Sequence, residues 1–208
     1  EAARSAYQSA LSIRERLAKS EPDRADYQRD LSVSYERMGD LYSALGQGEA
    51  ARSAYQSALS IRERLAESEP DRADYQRDLA ASYERMATVE PSKAGAWLEP
   101  ALAIRCAAVE REPENVVVRR ELAIVLIQCG HATQSELALR SGAAILIELR
   151  RAGVLEARYV PLSEELEAQF GSAHPGAHPD AHPEAQPGTH AATRSGPAAG
   201  GARGGGAV

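Results

Sequence analysis

Four histidines recur near one end of the chain, His174, His178, His182 and His190, and imidazole nitrogens are ordinary ligands for Zn²⁺ or Ni²⁺. A metal site needs fixed geometry, whereas the prolines that follow His174, His178 and His182 keep the backbone extended. The run from Ala173-His174-Pro175-Gly176 to Ala185-Gln186-Pro187-Gly188 is a low-complexity repeat that cannot bury enough surface to offset the entropy of ordering. Residues 171–208 are therefore expected to be a disordered tail. Cys106 and Cys129 show neither metal-ligand nor redox spacing. His131 falls at a predicted helix end, where the dipole favours it. The carboxylate pairs Asp23/Asp26 and Glu164/Glu165 fall at helix starts, where acids complement the dipole rather than transfer protons. No nucleophile–base pair and no phosphate-cradling glycine loop is visible. The residues predict no enzymatic activity, no metal and no cofactor.

Composition narrows the partners. The chain has 208 residues, 43% hydrophobic and 26% charged, with a formal net charge of −6 that lies within residues 1–170. An acidic body whose arginines alternate with Glu and Asp argues against nucleic acid. The longest apolar runs, Leu122–Ile127 and Ala143–Ile147, are far shorter than the ~20 residues that span a bilayer, so no membrane partner is expected. Two isolated cysteines suit a reducing compartment, and a cytoplasmic location is expected. The chain starts part-way through a repeat without Met, so an upstream part is also expected.

The elements that would position any site come from repetition. Glu1–Met38 recurs as Glu49–Met86 with 35 of 38 positions identical. Only Lys19/Glu67, Ser32/Ala80 and Val33/Ala81 differ. A third, diverged copy follows at an offset of 43, where Ala101-Leu102-Ala103-Ile104-Arg105 matches Ala58-Leu59-Ser60-Ile61-Arg62 and Glu112-Pro113 matches Glu69-Pro70. Units of this length bury their apolar faces by stacking. Within the unit, Ala3, Ala6/Tyr7, Ala10, Ile13 and Leu17 predict one helix over Glu1–Ser20. Tyr27, Leu31, Tyr35, Met38, Tyr42 and Leu45 predict a second, capped by Asp23. In the second copy that helix should stop near Ala87. Ser92 should cap the next one, with a kink or a start at Glu99-Pro100. Asn115–Cys129 is rich in Val and Ile, but its alignment predicts a helix rather than a strand. Thr133-Gln134-Ser135-Glu136 reads as a capping box opening a further helix that ends near Gly153. Ser163–Phe170 would add two turns. Cys129 takes the place of Met38 in the core stripe, which predicts a buried, inert thiol. Cys106 takes that of Glu15 and Glu63, which predicts the more accessible one.

Tyr35-x2-Met38-Gly39-x2-Tyr42, then Gly46, Ala51, Tyr55 and Ala58, resembles the tetratricopeptide repeat, in its long bacterial, kinesin-light-chain-like form. The resemblance covers residues 1–153. The period is 48 rather than 34, so both helices are lengthened. In the third copy Gly130 and Gly142 hold the small positions. The resemblance implies an all-α fold, a right-handed α-solenoid of antiparallel helix pairs over residues 1–153, with residues 154–170 as a capping segment. Gly39 and Ala51 would let two helices approach closely.

It further implies a protein- or peptide-binding scaffold in which the first helix of each pair lines a concave face. The positions off the core stripe there are Arg29, Val33, Glu36 and Asp40, then Arg77, Ala81 and Glu84, then Arg120, Ile124 and Ile127. Such a groove, acidic at one end and apolar at the other, predicts a partner segment with basic and apolar residues. Two other readings remain open at this level. One is a self-associating structural module, since Ala6, Tyr7, Ala10 and Leu17 lack a preceding partner. The other is the sensor region of a larger signalling protein.

Overall fold

The computed structural model describes residues 2–171, with side chains from Arg4 onward. The expected disordered tail lies outside the described residues, as do His174, His178, His182 and His190. Among the described residues the protein is all-α, with eight α-helices, two 3-10 turns and no strand. The helices are α1 (Ala2–Ser20), α2 (Ala25–Ala44), α3 (Gly48–Ser68), α4 (Ala73–Val89), α5 (Ala94–Arg111), α6 (Val116–Thr133), α7 (Glu136–Arg151) and α8 (Val160–Phe170).

Periodicity and punctuation account for these bounds. The proline turns Glu21-Pro22 and Glu69-Pro70 end α1 and α3, because the residue before proline is pushed out of the α region. Gly46 takes φ +69° in the tight turn between α2 and α3, a conformation open to glycine. The Val- and Ile-rich third copy is helical, as its alignment predicts.

Several boundary expectations are corrected. Asp23 does not cap α2: the N-cap is Arg24, which makes no side-chain cap bond, and its guanidinium instead grips Asp26 at 2.6 Å and lies over the Tyr27 ring. The same arrangement of Arg72 on Asp74 and Tyr75 opens α4. Helix α4 ends at Val89, close to the expected Ala87, but the 3-10 turn Pro91–Lys93 leads into α5, so Ser92 is not a cap. Pro100 sits inside α5 without starting it. Thr133 belongs to α6, and Ser135 is the residue that caps α7, accepting the Ala138 N–H at 3.3 Å. Between them Gln134 adopts a left-handed conformation at φ 56°. Helix α8 opens at Val160, one turn before the expected Ser163.

Extensive packing is confined to helices adjacent in sequence, from α1 on α2 through to α7 on α8. The most extensive contact is α2 on α3. It is close because Gly39 lies against the Tyr55 ring: a Cβ there would come within 2.5 Å of Tyr55 Cε1. Gly142 plays the same part between α6 and α7, where a Cβ would meet the Ala123 carbonyl oxygen at 2.7 Å and Ile127 Cγ1 at 2.8 Å. Ala51, Met38, Tyr55, Leu59 and Met86 are buried in the first two copies, and Ala123, Ala143 and Leu146 in the C-terminal part. No described helix is long and apolar enough to cross a membrane.

Candidate functional site

The ten candidate positions lie on α2, α4 and α6, and the structure divides them into three kinds. Val33, Ala81 and Ile124 occupy the same position of successive copies, and all three are half-buried. By register they make an apolar row, one position on each of α2, α4 and α6, and Ile124 also packs against the C-terminal core cluster.

The arginines beside that row are already partnered. Arg29 of α2 reaches α4, where its Nε donates to Asp78 at 2.7 Å and its Nη1 lies 3.1 Å from Asp74. Arg77 of α4 reaches Glu121 of α6 at 3.7 Å, the equivalent pair one copy later. Arg120 of α6 pairs with Glu156, and the Tyr159 ring lies beneath its guanidinium. Arginines at the same register thus tie α2 to α4 and α4 to α6, whereas Arg120 of α6 reaches the connection that follows α7. Arg120 is itself buried, and Ile127 is a core residue packed in the cluster with Ala123 and Leu146. Neither has the free surface expected of a position off the core stripe.

The two glutamates have a different task. Arg62 of α3 is almost fully buried, and Glu36 accepts from its Nη2 at 2.5 Å. Its other N–H groups reach the hydroxyls of Ser32 at 3.2 Å and Ser82 at 2.9 Å and the Asp78 carbonyl at 3.1 Å. Arg105 of α5 repeats the arrangement, donating to Glu84 through Nε at 3.1 Å and Nη2 at 2.9 Å, and to Glu121 through Nη1 at 2.6 Å. Both acids hold a buried cation from the helix behind them. A guanidinium buried in this way needs a carboxylate and several acceptors to offset its desolvation. In the third copy Ile127 stands where Glu36 and Glu84 stand, and the network stops there. Asp40 keeps an exposed carboxylate, although it accepts the Tyr55 hydroxyl at 2.7 Å and lies 3.5 Å from Arg85.

Burial pushes the Glu84 carboxyl above the ordinary glutamate value, against the pull of Arg105. The folded state therefore holds this proton more tightly than the unfolded chain. The contribution of Glu84 to stability falls as pH rises from the ordinary glutamate value through the raised one. Glu84→Gln has no such titration. The stability of the native chain relative to Glu84→Gln is thus expected to fall with rising pH across that window, measured by urea unfolding at a series of pH values. A difference that rises with pH would contradict the burial argument.

A cleft of about 330 Å³ opens beside the Arg77–Glu121 pair, floored by Ala103, Ile104, Ala107, Ala108 and Val118 and rimmed by Gln76 and Arg111. The equivalent groove one copy earlier is lined by Pro22, Gln28, Ile61, Arg64 and Leu65. Ala107 and Ala108 replace Arg64 and Leu65, and Val118 replaces Tyr75, which lets the later cleft reach α6. No signal in one helix taken alone marks this cleft; only the comparison of copies does. The two thiols sit elsewhere: Cys106 is exposed, as its alignment predicts, whereas Cys129 is half-buried rather than fully buried. Burial raises both thiols above the usual cysteine value, which keeps them protonated at neutral pH. His131 is exposed in the last turn of α6.

No protein-family model matches the chain, and no curated protein matches it.

Proposed function

We propose that residues 1–153 form a right-handed α-solenoid of antiparallel helix pairs resembling the tetratricopeptide repeat, closed by residues 154–170. It acts as a scaffold whose concave face binds a protein or peptide segment. Packing confined to successive helices supports the first part, since a stack of repeats has this pattern. The observation that carries the second is the row Val33, Ala81 and Ile124, held in register by the Arg29–Asp78 and Arg77–Glu121 pairs. The pairs fix the face before a ligand arrives, which lowers the entropic cost of binding. Apolar side chains of the segment would lie along the row and a basic residue would face Asp40, the acid that stays exposed. Because Glu36 and Glu84 hold buried arginines, changing them would disturb the fold as well as the face.

The test is a selection of displayed peptides on the purified chain, followed by affinity measurement on variants. Sequences combining apolar and basic residues are expected. Val33→Asp together with Ile124→Asp should weaken them at least 10-fold, while Cys106→Ser should leave them unchanged. Equal affinity for the Asp variant would exclude the row as the binding face.

A further inference from the structure

The internal copy supplies a template for a second surface, on the outer side of α1. Helices α1 and α3 share their sequence from the repeat start to Ala18/Ala66, yet their exposures differ. Tyr7 is 37% exposed against 4% for Tyr55, Ile13 50% against 6% for Ile61, and Leu17 39% against 7% for Leu65. On α3 this face is covered by α2. On α1 no described helix covers it. Arg14 tells the same story in charge. Its Nη1 donates to Ser34 at 2.5 Å, as Arg62 donates to Ser82, but where Arg62 also holds Glu36 and Ser32, Arg14 meets no carboxylate among the described residues.

From this difference we infer that the outer face of α1 is a docking site for a partner helix carrying the chemistry of α2: Ser-x3-Glu-x2-Gly-Asp, spaced as Ser32, Glu36, Gly39 and Asp40, on an apolar tyrosine-bearing stripe. The glutamate answers Arg14. The glycine admits the Tyr7 ring, as Gly39 admits that of Tyr55. The aspartate accepts the Tyr7 hydroxyl, as Asp40 accepts that of Tyr55. The glycine is the selective element, and the copies show why. Helix α5 presents Leu98 where α3 presents Tyr55, and there α4 carries Ala87 in place of Gly39. At the α6–α7 joint Leu139 also meets a glycine, Gly130, so it is the Tyr55 ring lying within 2.5 Å of a Cβ on Gly39 that makes glycine obligatory under a tyrosine face. The face of α1 should therefore prefer the α2 pattern over that of α4, although the two helices are nearly identical up to Met38/Met86. A second copy of this chain is a poorer occupant, because its own α2 already covers its α3. The surface is distinct from the Val33–Ala81–Ile124 row and stands independently of it.

The experiment uses the full chain and fluorescent peptides with the sequence of residues 24–47, read by anisotropy. Saturable binding is expected, weakened at least 10-fold by Gly39→Leu or Glu36→Lys in the peptide. Arg14→Glu in the chain should abolish binding of the native peptide and restore it for a Glu36→Arg peptide, which a merely misfolded chain could not do. Equal binding of all peptides, or none, would overturn the proposal. So would binding that survives Arg14→Glu, since the peptide would then be held somewhere other than the outer face of α1. Sedimentation across a concentration series closes the remaining case: self-association broken by Arg14→Glu would make the occupant a second copy and refute the assignment to a partner.

Discussion

Arg62→Ala is expected to lower folding stability by roughly 3–5 kcal/mol, the scale on which removing one member of a buried ion pair destabilises a protein. Arg62 is among the least exposed charged side chains described, and its removal leaves the hydroxyls of Ser32 and Ser82 without their donor and Glu36 with only the longer contact to Arg85 at 3.6 Å. The loss reaches three helices at once, because α2, α3 and α4 all contribute to that network. The companion experiment separates the penalty of an orphaned charge from the worth of the pair. Arg62→Met combined with Glu36→Leu should recover most of the stability, since apolar replacements of similar volume leave no buried charge. Urea unfolding reads both. If Arg62→Ala cost no more than the ~1 kcal/mol of an exposed salt bridge, the arginine would not be a tie between copies.

Gly142→Val should cost about 3 kcal/mol, towards the upper end of what overpacking does in a close interface. Its added Cβ would meet the backbone carbonyl of Ala123, which cannot rotate aside as a side-chain end can. Helix α7 would have to move off α6, loosening the contacts of Leu146 and Ile127. Gly48→Ala is the control: a Cβ added there, at the start of α3, would have nothing within 4 Å, so its effect should stay within about 1 kcal/mol. A thermal or urea midpoint for each variant decides the matter. Equal midpoints would mean that the α6–α7 separation is set by something other than the missing side chain.

Much of the fold was legible because repetition and periodicity act locally. The tyrosine and alanine stripes mark the buried side of each helix, and the small residues Gly39, Ala51 and Gly142 mark where backbones meet. The caps were less legible. Asp23 has the right side chain, but the chain turns so that Arg24 holds the N-cap position and the acid that matters is Asp26, inside the helix.

The site was legible only in part, for a physical reason. A stripe says which side of a helix faces its neighbour, but not which charged residue meets a charge on the next helix but one. Arg29 and Arg77 look like ligands for a partner until Asp78 and Glu121 are placed against them, and Arg120 until the connection after α7 brings Glu156 to it. A trace of this was present in the copies. Glu36 with Arg62 and Glu84 with Arg105 persist although the offset shortens from 48 to 43, whereas Ile127 replaces the glutamate where no such arginine follows. Paired retention and paired loss are the signature of contact.

The most direct test of the binding scaffold is an amide-exchange footprint with and without a peptide selected on the chain. New protection is expected on α2, α4 and α6 around Val33, Ala81 and Ile124, with α3, α5 and α7 unchanged. Protection confined to α3, α5 and α7 would place the ligand on the opposite face and contradict the proposed scaffold.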